Sequence, residues 1–412
     1  MNAILAVRAA RRAREDEEIH REHFAEPRGG RGCSASPTDL CADAVAATMN
    51  THDLDTPALV IDLDRVETNI NEMAQRAQET GVRLRPHTKT HKIPEIARLQ
   101  VDAGASGITV AKVGEAEVMV AAGFDDVLIA YPVYGAAKLA RLQALREKAR
   151  ILVSLDSLDV AEGLGRLGTS SGEPIEIYVE VDTGQHRMGR PPGQPTVDLI
   201  KQLAEVKGIT IIGLMTHAGH TYDATSLGDR DVVVDKEIAD LVMTKEMSAE
   251  AGVHFNEISV GSTPSARSEL RHEGVTEVRP GTYVFNDTSM IRLGVATVDT
   301  CAARILATVV GRPSDDRFVI DAGTKCFTSD GVGRPGWIQV VGRDDLTMNF
   351  TTEEHGVGTL DLSLGGQLDI GDTLELIPSH ICPVINLFES VYTARGSNVV
   401  GQLLVAGRGK VR

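Results

Sequence analysis

Three things are scarce in this chain. No run of about 18 apolar residues occurs, so no segment reads as a helix crossing a bilayer. Basic residues are outnumbered, with 42 Lys and Arg against 58 Asp and Glu for a formal net charge of -16. That balance excludes nucleic acid as the main partner, because a phosphate backbone calls for a basic face. Cysteines are five, odd in number and scattered: Cys33, Cys41, Cys301, Cys326 and Cys382. They are read as thiols of a reducing cytoplasm and not as a disulfide framework. A secretory signal is not expected either, since the apolar run near Met1 is too short, and the acids of REDEEIHREHFAE argue against a transit peptide.

What is present fits one large domain plus a smaller one, within 412 residues of which 42% are hydrophobic. Residues 1–48 have mixed charge and a Gly/Pro/Ser-rich middle, which reads as a disordered extension. Met49 is the expected native start, because MNTHDLDTPALVIDLD runs directly into ordered sequence.

From residue 49 to about 295, short β-rich runs alternate with stretches of helical period. VRLRPHTK, GITVAK, DVLIAYP, RILVSLD, IEIYVEVDTG, ITIIGLMTHAG, EISVGS and EVRPGTYVF are read as strands. IPEIARLQVDAG, VGEAEVMVAAG, AAKLARLQALREKA and VDKEIADLVMTKEMSAEAG are read as helices, several closing on a Gly suited to a left-handed cap. Eight β-then-α units predict a parallel sheet closed into a TIM barrel over residues 49–295, with an open doubly wound sheet as the alternative. Beyond residue 295, RILATVVGR, RFVIDAG, WIQVVGR and DTLELIPSH alternate with turns, and residues 296–412 are expected to form a β domain.

A TIM barrel carries its chemistry at the C-terminal ends of its strands. Those positions hold Lys89, Arg187, His217 and His220, Gly261 and Ser262, and Gly281. The last two strand ends, GSTPS and RPGT, combine small residues with hydroxyls and suit a phosphate held by backbone amides, although a Gly-bearing turn would explain either alone. Lysine facing such a site points to covalent attachment of pyridoxal phosphate. Burial together with Arg85, His87 and Lys92 is expected to depress the lysine's pKa, as that chemistry requires.

At this point the chain resembles a known family. RPHTKTHK, VDTGQHRMG, THAGHTY, SVGSTP, RPGTYVFND, VIDAGTK, EEHG and SHICP stand in the order found in the D-threonine aldolase and D-serine dehydratase family, metal-dependent pyridoxal phosphate enzymes of the alanine racemase-like fold. The resemblance implies that Lys89, and not Lys92, holds the cofactor and that Arg187 hydrogen-bonds its phenolic oxygen. It makes Tyr222 a candidate ring contact and His217 or His220 a candidate proton shuttle. Gly261, Ser262, Thr263, Gly281 and Thr282 would form the phosphate cup.

SHICP supplies a second site. If it is a strand, His380 and Cys382 project from one face and reach one ion, and imidazole plus thiolate favours zinc. By resemblance, His-x-Asp in the aldolases suits manganese or magnesium, whereas His-x-Cys is similar to D-serine dehydratase with zinc. The family likeness implies a lyase acting on D-β-hydroxy-α-amino acids, by loss of water or by cleavage to glycine and an aldehyde. It also implies a homodimer. An amino acid racemase, or a non-catalytic cofactor-binding protein, is the alternative. His355 of EEHG either lines the site or caps a turn.

Overall fold

The computed structural model describes residues 49–412 apart from Thr225, Gly333 and Pro335; the expectations for residues 1–48 lie outside the described residues. The chain opens with strand β1 (Ala58–Asp62) and then a helix, Leu63–Thr80, capped at its start by Asp62 and at its end by left-handed Gly81.

Eight parallel strands follow: β2 (Arg83–Leu84), β3 (Ile108–Val110), β4 (Asp126–Ile129), β5 (Arg150–Leu155), β6 (Ile175–Glu180), β7 (Ile209–Met215), β8 (Glu257–Val260) and β9 (Glu277–Val278). Each falls within one of the eight runs read from the sequence. Their order is β2-β9-β8-β7-β6-β5-β4-β3. The ring closes through a parallel bridge between His87 and Thr109, with the Thr109 amide donating to the Pro86 carbonyl at 2.8 Å. This closure is the barrel, and it disposes of the open-sheet alternative.

Strand alternation explains the layering. Ile151, Val153, Ile175, Ile177 and Val179 belong to the outer core beneath the helices, whereas Leu128, Leu152, Tyr178 and Met215 form a small inner cluster. The rest of the interior is polar. Arg85 donates from Nε to Glu277 at 2.8 Å and from Nη1 to Asp126, and Ser154 donates to Glu180 at 3.0 Å. The eighth unit departs from expectation, because only the five-residue helix Thr288–Arg292 follows β9. Val66 and Ile70 of the helix Leu63–Thr80 pack in one core with Val284 and Phe285 from the segment after β9.

The second sheet has nine strands, with β10 (Ala303–Ser314), β11 (Arg317–Ile320), β12 (Gln339–Val340), β13 (Leu346–Thr351), β14 (Gly356–Leu360), β15 (Thr373–Ile377), β16 (Ser390–Arg395) and β17 (Asn398–Leu404) joined by β1. β1 pairs antiparallel with β10 and parallel with β16. The boundary read from the sequence therefore needs correction at its start: residues 58–62 lie inside the 49–295 range but build the second sheet. ALVID is a short apolar run with no turn signal before its helix, so pairing partners more than 240 residues away decide its place. One apolar core, including Ile61, Ile93, Phe285, Phe318 and Ile385, runs between the sheet and the barrel. Burial on this scale fixes the two parts relative to each other.

Candidate active site

Lys89 lies in the single turn Thr88–Thr90 directly after β2, where the His87 side chain accepts a hydrogen bond from the Lys89 amide at 3.3 Å. Burial holds the Lys89 ammonium below its ordinary pKa; the Cys382 thiolate opposes this, and Arg187 and Arg279 reinforce it. The depression is therefore not the work of the residues expected. Arg85 is committed to Glu277 and Asp126 inside the barrel. Lys92 pairs with Glu115 at 3.1 Å and donates to Asn386 at 3.0 Å. Burial, and then the charge of Lys89, lowers the pKa of His87 well below normal and leaves it neutral. Sequence proximity misled here because β2 ends at Leu84 and the chain turns at Thr88–Thr90, so neighbours in sequence meet different partners.

His217, beyond the end of β7, donates from Nδ1 to the Gly261 carbonyl at 2.9 Å, so its Nε2 is the free acceptor. Burial, then Lys89 and Arg187, lowers its pKa to about 3. Arg187 and His217 line one small cavity with Glu180, Asp182 and Thr216. His220 stands apart: burial lowers its pKa, and the charges that act on it are Asp182, Lys236, Asp223 and His186, not Lys89. Among the described residues the Nδ1 of His220 is buried without a partner. The structure thus brings His217, Arg187 and Lys89 together and leaves His220 outside that group.

The two phosphate-cup segments lie side by side. A Cβ on Gly261, whose φ is +134°, would stand 2.5 Å from the Arg279 amide, and one on Gly281 would stand 2.7 Å from Thr90 Oγ1. The first position admits only glycine, and at the second a side chain would have to displace Thr90. Ser262 and Ser265 hydroxyls pair at 2.6 Å, and Thr263 Oγ1 accepts from the Tyr283 amide at 3.1 Å. The hydroxyls thus brace the loop. Among the described residues the amides of Thr263, Gly281 and Thr282 meet no acceptor. Free amides in a glycine cradle fit a phosphate group.

His380 and Cys382 do converge, though not on a strand. His380 is the extended N-cap of a short helix, Ile381–Ile385, and Cys382 is its second residue. Pro383, tolerated in a first helical turn, marks a helix start that a strand reading of SHICP passes over. Burial opposes charge on both, yet Cys382 and its hydrogen bond raise the His380 pKa to about 10. Burial would raise the Cys382 thiol, but His380 and Lys89 pull it below its usual value. The pair is a thiolate facing an imidazolium whose proton a metal ion could replace, and this donor chemistry fits zinc. His380 Nδ1 donates to Asp330 Oδ2 at 3.0 Å. Among the described residues no cluster of three or more His, Cys, Asp or Glu side chains forms a closed metal cage.

Thr90 and Thr282, from the two ends of the barrel ring, reach the Cys382 sulfur at 3.3 and 3.6 Å. Tyr222 hydrogen-bonds with Thr282, and burial, then Cys382 and Asp287, push its pKa up. Tyr222, Thr282 and His380 line one cleft of about 260 Å³. The lysine turn and the histidine–cysteine pair therefore bound a single site between barrel and sheet.

Comparison with known proteins agrees with this architecture. The sequence profile of the alanine racemase N-terminal domain matches residues 61–289, and that of a serine dehydratase domain matches residues 302–394. A D-threo-3-hydroxyaspartate dehydratase from Delftia sp. is 36% identical over 80% of this chain and 91% of its own length. The chain belongs to the D-threonine aldolase and D-serine dehydratase family, with the alanine racemase-like fold. Among solved structures, D-threonine aldolase from Filomicrobium marinum superposes with a TM-score of 0.81 at 32% identity, covering 88% of this chain and 97% of that one. A cysteine-to-alanine variant of a D-threo-3-hydroxyaspartate dehydratase, described in its metal-free form, superposes with a TM-score of 0.78 at 32% identity, over 87% and 99% of the two chains.

Two residues of this family member's site escaped the sequence reading. Asp287 is fully buried; Oδ1 accepts from the Met290 amide at 3.0 Å and Oδ2 from the Ile381 amide at 3.1 Å. It caps the helix Thr288–Arg292 and anchors the segment that carries His380 and Cys382. Its N-cap signal, an Asp before a helical run, was legible; its second partner, 94 residues away, was not. Arg279, inside the barrel, donates to Ser259 and to the Thr216 carbonyl, the latter at 2.6 Å. His355 sits in the turn between β13 and β14, where Thr352 donates to its carbonyl at 2.8 Å and its side chain is exposed. It caps a turn.

Proposed function

We propose that this protein is a pyridoxal phosphate-dependent lyase that removes water from D-β-hydroxy-α-amino acids, yielding a keto acid and ammonia. The observation that carries the reading is the shared wall between Lys89, with its depressed pKa, and the His380–Cys382 pair, linked through Thr90 and Thr282.

The amides of Thr263, Gly281 and Thr282 would hold the cofactor phosphate, Lys89 its carbonyl carbon and Arg187 its phenolic oxygen, with Tyr222 against its ring. When bound, the cofactor supplies an electron sink for negative charge at the substrate α-carbon, and zinc on His380 and Cys382 assists departure of the β-hydroxyl. Lys89, whose burial favours the free amine, accepts the α-proton. His217 stays neutral with Nδ1 committed to Gly261, and its Nε2 is available to a hydroxyl proton. Asp330 fixes the ring of His380, and Asp287 fixes the backbone that carries it. Loss of the α-proton and β-hydroxide releases water; the enamine left behind takes up water and loses ammonia.

Retro-aldol cleavage uses the same groups, and its support is the superposition on a D-threonine aldolase. The thiolate ligand, together with the dehydratase relative, favours elimination. No helix among the described residues is long and apolar enough to cross a membrane; a cytoplasmic homodimer belongs to this proposal. The test is product analysis: incubate the cofactor-loaded protein with D-serine, D-threonine and D-threo-3-hydroxyaspartate and assay keto acid and glycine separately. Keto acid supports the reading. Glycine without keto acid makes the protein an aldolase, and interconversion of enantiomers alone makes it a racemase.

A further inference from the structure

Two arginines not used above stand beside His380. Arg292 ends the helix Thr288–Arg292, and Arg334 lies in the loop before Trp337. Both line the cleft that holds Tyr222 and His380, and both line an adjoining cavity of about 210 Å³ with Trp337 and Gln339. Among the described residues neither guanidinium has an ion pair or a hydrogen bond. The carboxylates of the same cleft are engaged, Asp287 by two backbone amides and Asp330 by His380.

In a chain of net charge -16, two uncompensated guanidiniums at one cleft create a local field that draws anions inward. Guanidinium binds carboxylate through two parallel N–H bonds, a geometry that lysine cannot copy. The argument rests on the reading that His380 and Cys382 act at the β-hydroxyl. A group attached to the same β-carbon then falls on the His380 side of the site, where the arginines are.

We propose that Arg292 and Arg334 form a subsite for a second carboxylate, so that the preferred substrates are β-hydroxy dicarboxylic D-amino acids of the D-3-hydroxyaspartate kind, ahead of D-serine and D-threonine. The two side chains come from the barrel side and the sheet side of the cleft, and each supplies one flank of the subsite. Both are exposed, so their replacement leaves the core intact.

The test separates binding from turnover. D-Aspartate and D-alanine lack a hydroxyl to eliminate and differ by the second carboxylate; their affinities for the cofactor-loaded protein are measured by calorimetry. D-Aspartate is expected to bind at least about ten-fold tighter. In the Arg292→Gln/Arg334→Gln double variant the ratio should fall to within about two-fold, with partial recovery in Arg334→Lys. In the steady state, the ratio of kcat/KM for D-threo-3-hydroxyaspartate to that for D-serine should fall by the same factor, mainly through KM. Equal affinities in the wild type overturn the subsite, as does a ratio unmoved in the double variant. Equal weakening of both ligands also overturns it, because the arginines would then hold the α-carboxylate. Keto acid production with equal affinities leaves the lyase reading intact and removes the subsite. A strong D-aspartate preference without any keto acid does the reverse.

Discussion

The two halves of the site are built by different means. On the barrel side, Lys89, Arg187, His217, Gly261 and Gly281 each follow a strand of regular spacing, so one rule about strand ends locates all of them. On the sheet side, His380 and Cys382 sit in an irregular segment after β15, held by a side chain from the other half, Asp287. Periodicity can position a residue only where the element is periodic; elsewhere a buried acceptor has to do it. The contrast implies that the barrel groups control whether the cofactor stays, whereas the sheet groups control what happens to the substrate.

The largest effect should come from Lys89→Ala, which is expected to lower kcat/KM by about three orders of magnitude or more and to abolish the visible absorbance of the covalently held cofactor. Cys382→Ala should sharpen the contrast. The cofactor absorbance stays, bound zinc measured by metal analysis falls, and kcat drops by about 10²-fold. If the absorbance disappears with the cysteine, the two halves are not separable.

Asp287 is the link, and its removal should have a smaller effect on rate. Asp287→Ala strips the acceptor from two buried amides, costing about 1–3 kcal/mol of stability, and should lower kcat about ten-fold with KM little changed. Asp287→Asn keeps one of the two acceptors and turns an NH2 donor toward the other amide, so it should recover only part of the rate. Equal losses in both variants would argue for a role of the negative charge and not of position.

The smallest effect lies away from both halves. Glu237 and Glu269 are fully buried, and among the described residues the Glu237 carboxylate has no hydrogen-bond partner. Burial, with Glu269 acting on Glu237, raises both, Glu269 to about 7 from 4.5. A folded-state pKa above the unfolded one means that the native state holds the extra proton. Its stabilisation is complete below pH 4.5 and is lost as pH rises toward 7. Glu269→Gln should therefore raise the melting temperature at pH 8 by a few degrees and flatten its fall between pH 4.5 and 7, as measured by calorimetry at several pH values.

Legibility followed the same division. The eight barrel strands could be read because apolar runs repeat with helical stretches between them. Strand β1 could not, because ALVID carries no mark of the partners, β10 and β16, that claim it. The strands β13, β14, β16 and β17 were also unread: LTMNFT alternates over only six residues, and NVVGQLL alternates weakly and sits half in solvent. At the site, residue identity was legible and partnership was not. The basic cluster around Lys89 read as mutual repulsion, whereas Arg85 and Lys92 are neutralised by Glu277, Asp126 and Glu115 contributed from other strands and helices. His380 and Cys382 were recognisable as a pair, but the helix that presents them depends on Pro383 and on an anchor from the distant Asp287.

The central claim is that a cofactor held by the barrel and a metal held by the sheet domain serve one reaction. Its most direct test is to treat the cofactor-loaded protein with a zinc chelator while following keto acid release and cofactor absorbance together. The account predicts that keto acid formation is lost and returns on adding zinc, with the absorbance unchanged throughout. A chelated protein that has lost its zinc and still forms keto acid at the full rate would contradict it.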